Sequence, residues 1–335
     1  MLAACDIANL NAERVALERA IAGAWRFAGA TSPNPPVGCV LLDESGAIIA
    51  EGYHECAGLP HAEARAIDIA RTLGVAHRIH TVVVTLEPCN HHGRTPPCTE
   101  AILSTPAKRI VIAAPDPNPK VCGGGAARLR AAGLNVELAA EIAELRGLAM
   151  AAQRLIAPFA KHALTGRPFV TVKQAIDETG SMVPPPGRKT FTSDASLKLA
   201  HVLRRRADAV LTGSGTVLAD NPEFTVRHVA DFPGKRRTLA LLDRRLRVPK
   251  SYDEAAGARG FSVLRARSLD EALLRLGAAG ALEVLVEAGP SLTTAVLEAG
   301  LADEHVLIAK GDPDRVVITH ANPEFDAVTV PGEQQ

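Results

Sequence analysis

Three residues, His61, Cys89 and Cys98, are of types that ligate a metal ion, and a fourth, Glu63, is of a type that moves a proton beside one. His61-Ala-Glu63 opens a helical stretch. Thr85-Leu-Glu-Pro-Cys89 closes a strand-like run, and Pro96-Pro-Cys98 follows after a gap of eight residues. Zinc accepts imidazole nitrogen and thiolate sulfur, and a catalytic zinc has three protein ligands with the fourth position left to water. One His and two Cys meet that count. The ion lowers the pKa of bound water toward neutrality. Glu63, two residues beyond His61, can take that water's proton and pass it to a departing amine.

Singly, these pieces are weak: a His-x-Glu is usually a surface pair, and a Pro-Cys usually a buried thiol. Together they match the pattern of zinc nucleobase deaminases, His-x-Glu followed by Pro-Cys-x-x-Cys, apart from the longer gap between cysteines. His54, Cys56, His77, His80, His91 and His92 compete as ligands by type. His91 and His92, between the two cysteines, are expected to line a substrate pocket. Cys39 is expected in the core, and Cys56 and Cys122 as bystanders. Asn34, in Ser32-Pro-Asn-Pro-Pro-Val-Gly38, either pairs with a pyrimidine edge or simply forms the turn.

The elements that must position these residues alternate. Helical spacing over 11–29 precedes two short strands, Val37–Leu42 and Ala47–Ala50, joined by Asp43-Glu-Ser-Gly. His61–Leu73 is helical, with Gly74 at its end. Strands at 81–86, 109–114 and near 136, with a helix over 126–132, make a layered α/β domain. A helical pattern over 140–165 leads to a Gly-Arg-Pro break at 166–168. Beyond it, strands at 169–173, 208–212, 238–243, 261–264, 283–287 and 305–308 and a helix over 194–206 predict a second α/β domain.

The 335 residues suit two domains, 47% apolar and 22% charged. Lys plus Arg and Asp plus Glu balance at 37 each, and aromatics are 3%, which argues against a nucleic-acid partner. No apolar run reaches membrane-span length, and the N-terminus has no secretory pattern. All six cysteines fall within the first 122 residues, as a metal site in one domain requires and a disulfide scaffold does not.

In these residues and the strings around them, the chain resembles the bifunctional riboflavin-biosynthesis deaminase/reductase family. The matching strings are Pro33-Asn-Pro-Pro-Val-Gly-Cys-Val, Glu51-Gly-Tyr-His, Ala57-Gly-Leu-Pro-His-Ala-Glu, Thr85-Leu-Glu-Pro-Cys-Asn-His-His-Gly-Arg-Thr-Pro-Pro-Cys and Asp116-Pro-Asn-Pro. The eight-residue gap is a family trait, and the likeness spans residues 12–310. It implies an N-terminal cytidine-deaminase-like three-layer α/β/α domain that hydrolyses the ring amine of a diaminohydroxyphosphoribosylaminopyrimidine. It also implies a C-terminal dihydrofolate-reductase-like α/β domain that reduces the ribosyl group with NADPH. The expected layout is a deaminase over 1–150, a linker over 151–166, a reductase over 167–310 and a polar tail without fixed structure over 311–335. A cytoplasmic location and a homodimer paired through the second domain are further expectations.

In the second domain the resemblance assigns the substrate phosphate to Arg204 and Arg227, the substrate's ribose to Glu287, and a substrate contact to Phe224. Guanidinium forks suit a phosphomonoester. It assigns the dinucleotide to Ala175, Thr216 and Asp220 and to the run Gly289, Pro290, Ser291, Leu292, Thr293, Thr294 and Ala295, where a helix start can cradle a pyrophosphate. Three departures stand out. Arg188 and Thr190 replace the family's substrate-facing serine and cofactor-covering aromatic, Arg244 replaces a serine, and the usual last strands after Lys310 are missing. Two readings of this domain stay open: retained reduction, or binding of the phosphoribosyl substrate without reduction. A paralogue serving a secondary-metabolite pathway from the same GTP-derived pyrimidine is the alternative for the whole chain.

Overall fold

The computed structural model describes residues 4–91, 96–119, 121–185, 187 and 190–332. The chain divides into two units, Met1–Leu164 with Ala327–Gln335, and Thr165–Asp326.

In the first unit the elements run α1 (Ala4–Trp25), β1 (Gly38–Leu42), β2 (Ile48–Tyr53), α2 (Ala62–Thr72), β3 (Thr81–Leu86), α3 (Cys98–Leu103), β4 (Arg109–Ala114), α4 (Gly124–Ala131), β5 (Asn135–Leu138), α5 (Arg146–Leu155) and α6 (Ala157–Thr165). The sheet order is β2-β1-β3-β4-β5. β1 is antiparallel to both neighbours, while β3, β4 and β5 are parallel. Successive strand residues point to opposite faces, and the core follows that period. Val40, Leu42, Val83 and Val111 pack under α1 and α5, whereas Cys39, Leu41, Val82, Val84, Ile110 and Ile112 pack under α2, α3 and α4. Each fully buried Leu or Ile contributes roughly 1.5–3 kcal/mol by leaving water. Gly52 lets α2 lie directly on β2, since a Cβ there would stand 2.3 Å from Ala66 N and 2.4 Å from Ala62 O. That contact sets the start of α2, and therefore His61.

The second unit contains β6 (Phe169–Ile176), α7 (Asp194–Arg206), β7 (Ala209–Gly213), α8 (Ser214–Asp220), β8 (Arg237–Leu242), α9 (Lys250–Ala258), β9 (Phe261–Ala266), α10 (Leu269–Ala278), β10 (Glu283–Val286), α11 (Pro290–Glu298), β11 (Glu304–Ala309) and β12 (Arg315–His320). Its sheet runs β12-β11-β6-β10-β7-β8-β9 and is parallel except for the β11–β12 pair. Helices cover both faces, with α10 and α11 over one cluster and α7, α8 and α9 over two others.

Two sequence expectations are corrected here. Residues 151–166 are helical, and Ala151, Ala152 and Leu155 belong to the first unit's core, so a linker does not describe them. Residues 311–335 are not an unstructured tail across their described length. Arg315-Val-Val-Ile-Thr-His pairs with the whole of β11, from Glu304↔His320 to Ala309↔Arg315. Val330 then packs, 7% exposed, into the first unit's core. A run of β-branched residues with a partner strand outweighs the polar, Pro-containing composition around it.

Candidate active sites

His61 is the N-cap residue of α2, Cys89 follows β3, and Cys98 is the first residue of α3. The structure brings the three together. His61 Nδ1 lies 3.6 Å from Cys89 Sγ and 3.3 Å from Cys98 Sγ, and the three donor atoms are all within 4.8 Å of one another. A tetrahedral zinc with bonds of about 2.3 Å to sulfur and about 2.0 Å to nitrogen sets such donors about 3.6 Å apart, so the triad fits the ion. The Cys89 thiol is held well below its usual range by the Cys98 thiol, with His61 and the Cys98 amide adding to that, and the Cys98 thiol is held up by its neighbour Cys89. His61 is in turn raised by Cys89. A dication at the triad replaces those shared protons, because the thiolate is the ligating form.

Glu63, 3% exposed in the first turn of α2, is raised by burial and by the neighbouring Cys89. A carboxyl that holds its proton more tightly than usual suits a group that must both accept and return one. The triad's His61 and Cys89, with Glu63, open on a 570 Å³ cavity also lined by Asn34, His54, His91, Asp116 and Asn118. His54 Nδ1 stands 3.1 Å from the Pro60 carbonyl, and its Nε2 stands 3.2 Å from Asn34 Nδ2. The carbonyl can only accept, so Nδ1 carries the proton and Nε2 accepts from the Asn34 amide. Burial lowers the His54 pKa and keeps this neutral form. Asn34 is thereby fixed with its amide NH2 toward His54. At the cavity wall, the Glu87 carboxylate accepts the backbone N–H groups of Asp116 (3.3 Å), Gly123 and Ala126 (both 2.9 Å). That pins the segment carrying Asp116 and Asn118.

In the second unit, Lys173 on β6, Glu287 just beyond β10 and Arg204 on α7 form another polar group. Glu287 accepts from Arg204 Nε at 2.5 Å and Nη2 at 2.7 Å, with Lys173 Nζ 3.4 Å from the same carboxylate. Lys173 and Arg204 outweigh the burial that opposes ionisation and hold Glu287 down to about 2. Arg204 Nη1 makes only longer contacts, 3.3 Å to the Thr225 carbonyl and 3.3 Å to His201 Nε2. The Arg227 side chain is exposed and pairs with Glu223 and Thr225 on its own loop. Phe224, at φ +57, buries its ring among Val210, Val217 and Tyr252, with the Arg204 guanidinium 5.9 Å from the ring centre.

Of the residues expected at the dinucleotide, Gly289 donates its N–H to Thr216 Oγ1 at 2.9 Å, which joins the start of α11 to α8. Pro290, Ser291, Thr294, Ala295 and Asp220 are exposed, Ala175 is half-buried on β6, and Leu292 packs on the core. Thr293 is buried, with its hydroxyl bonded to the Ala288 carbonyl, so its side chain is spent within the fold. The N-terminus of α11 beyond a glycine supplies free N–H groups suited to a pyrophosphate. His92 and Arg188 lie outside the described residues. Thr190 Oγ1 lies 3.0 Å from Thr192 Oγ1.

Sequence reasoning assigned no role to His54 beyond competing ligand, nor any to Glu87, Lys173 or His201. Asp116 and Asn118 stood inside a matching string without a role. Their parts follow from contacts across twenty or more residues, which no local spacing displays.

A profile for the cytidine and deoxycytidylate deaminase zinc-binding region matches residues 10–114, and one for the RibD C-terminal domain matches residues 168–310. The chain is 37% identical over 314 residues to the riboflavin biosynthesis protein RibD of Aquifex aeolicus, covering 87% of this chain and 85% of that protein. It is 34% identical over 325 residues to RibD of Escherichia coli, covering 87% and 85% respectively. Acinetobacter baumannii RibD superposes with a TM-score of 0.76 at 34% identity, over 90% of this chain and 87% of that one. The Thermotoga maritima diaminohydroxyphosphoribosylaminopyrimidine deaminase/5-amino-6-(5-phosphoribosylamino)uracil reductase gives 0.74 at 32% identity, over 95% and 91%.

Proposed function

The chain belongs to the RibD family of riboflavin biosynthesis, and from that premise we propose how its own residues divide the work. It is a zinc-dependent deaminase joined to an NADPH-dependent, dihydrofolate-reductase-like domain, and it acts on a phosphoribosylated pyrimidine.

In the deaminase unit, His61, Cys89 and Cys98 would hold a zinc ion, which would supply a water of usable acidity near neutral pH. Glu63 would take up a proton at its carboxylate and return it to the leaving amine as water's oxygen replaces that nitrogen on the ring carbon. Asn34, oriented by His54, meets the pyrimidine edge with its free amide oxygen. The cavity wall bearing Asp116 and Asn118 closes around the rest of the substrate. The observation that carries this reading is a triad of the right donor types converging beside a buried Glu63 on one cavity.

In the second unit, NADPH would supply the hydride, and the N-terminus of α11 with Thr216 and Asp220 would hold the dinucleotide. Glu287 keeps the Arg204 fork rigid while Arg204 Nη1 turns to the substrate phosphate together with Arg227, and Glu287 borders the ribose. Thr190 leaves that part of the cofactor less covered than an aromatic would. We also place two copies in a dimer through the second unit, and the enzyme in the reducing cytoplasm, where its zinc thiolates persist. A coupled assay tests the division of labour: ammonia release from the diaminopyrimidine phosphate, then NADPH oxidation on the deaminated product. Ammonia release without NADPH oxidation would leave the second unit as a binding domain.

A further inference from the structure

His201 lies on α7 three residues before Arg204 and is 3% exposed. Its Nδ1 accepts the backbone N–H of Arg227 at 2.9 Å. A main-chain amide can only donate, so Nδ1 carries no proton and the ring is the Nε2–H tautomer. That Nε2 stands 3.3 Å from Arg204 Nη1. A neutral ring accepts at one nitrogen only, and the shorter contact, the Arg227 amide on Nδ1, claims that acceptor. His228 meets the ring edge-on, with centroids 4.6 Å apart. Burial, helped by Arg204, His228 and Arg227, lowers the His201 pKa to about 4, so the ring stays neutral between two guanidinium-bearing residues.

The loop that His201 grips needs an anchor. Asn221 and Phe224 both sit at positive φ, +43° and +57°, a region that side chains other than glycine rarely adopt. Phe224 holds one end of this loop in the core, and the His201 bond holds Arg227 at the other. Among the described residues the exposed Arg227 side chain pairs with Glu223 and Thr225 of its own loop, so its placement against Arg204 depends on where the backbone is fixed.

We propose that His201 is a positioning residue of the reductase site, locking the Arg227 segment onto α7 so that Arg204 and Arg227 converge on one phosphate group. This rests on the reading of those two arginines as phosphate-binding. The test compares reductase kinetics of His201→Leu, His201→Asn, His201→Gln and Arg227→Gln on the phosphorylated product of the deaminase and on its dephosphorylated form. Asn can place an acceptor where Nδ1 was, Gln only where Nε2 was, and Leu places none. His201→Leu should raise KM for the phosphorylated substrate about tenfold, as expected for one lost hydrogen bond, with kcat and the dephosphorylated substrate's KM nearly unchanged. His201→Asn should recover most of that loss and His201→Gln little of it. Should the Leu variant not fold, the Asn and Gln pair decides. Unchanged KM, equal loss on both substrates, or an Asn variant as impaired as the Gln variant would overturn the proposal. If Arg227→Gln itself leaves KM for the phosphorylated substrate unchanged, the phosphate reading falls. If Arg227→Gln raises it and the His201 variants do not, only the role of His201 falls.

Discussion

Glu287 and Arg204 form a two-pronged ion pair, with Nε at 2.5 Å and Nη2 at 2.7 Å from separate carboxylate oxygens. Glu287 is 6% exposed, so its charge depends on Arg204 and Lys173 rather than on water. Breaking such a buried pair from one side strands a charge and costs about 3–5 kcal/mol. Arg204→Met should therefore destabilise the second unit by that order, whereas Arg227→Gln, at an exposed pair, should change its stability by less than about 1 kcal/mol. Denaturant-dependent hydrogen exchange of β7 and β10 measures both. Equal effects would contradict the contrast.

The same pair sets an acid limit. The folded pKa of Glu287, about 2, lies below its ordinary 4.5. A depressed carboxyl stabilises the fold above the unfolded pKa and loses that contribution as pH falls through the folded one. The second unit should lose stability between about pH 4.5 and 2, and Glu287→Gln should flatten that part of the profile. Thermal unfolding across that window reads the difference, and a parallel slope in the variant would count against it.

Glu63→Gln keeps the shape of the site and removes proton transfer. Zinc content should stay at one per chain, while ammonia release falls by about 10²–10⁴-fold. Undiminished turnover would sink the proton-shuttle role.

Chelation should separate the two activities. Stripping zinc, or changing Cys98 to Ser, should abolish ammonia release yet leave NADPH oxidation on the deaminated product intact, since the residues proposed to hold zinc all lie in the first unit. Loss of both activities together would show that the units depend on one another.

Glu87 is expected to support substrate binding by fixing the cavity wall. Its carboxylate takes three main-chain N–H groups, and an amide can accept with only one oxygen. Glu87→Gln should raise the deaminase KM by about tenfold, the scale of one lost buried hydrogen bond, with zinc content unchanged. Metal loss in this variant would instead assign Glu87 to holding Cys89.

Much of the fold was legible because burial follows period. Continuous apolar runs in Gly38–Leu42 and in Arg109–Ala114 mark strands covered on both faces, and the structure splits those residues between two clusters. The 311–335 segment misled because its prolines and charges dominate composition, while the pairing of Arg315–His320 depends on a partner strand that composition does not describe.

The metal chemistry belongs to the sequence itself. Zinc demands particular donor types, and a His-x-Glu on one turn with two cysteines supplies them whatever surrounds them. Tertiary structure alone decided how the other polar groups are spent: Arg204 on Glu287, the His54 ring on Asn34, Glu87 on three amides and His201 on the backbone of Arg227. Those partners are 20 to 83 residues apart. A residue's type says which bonds it can make, and only the packed fold says which neighbour comes within 3 Å to make them.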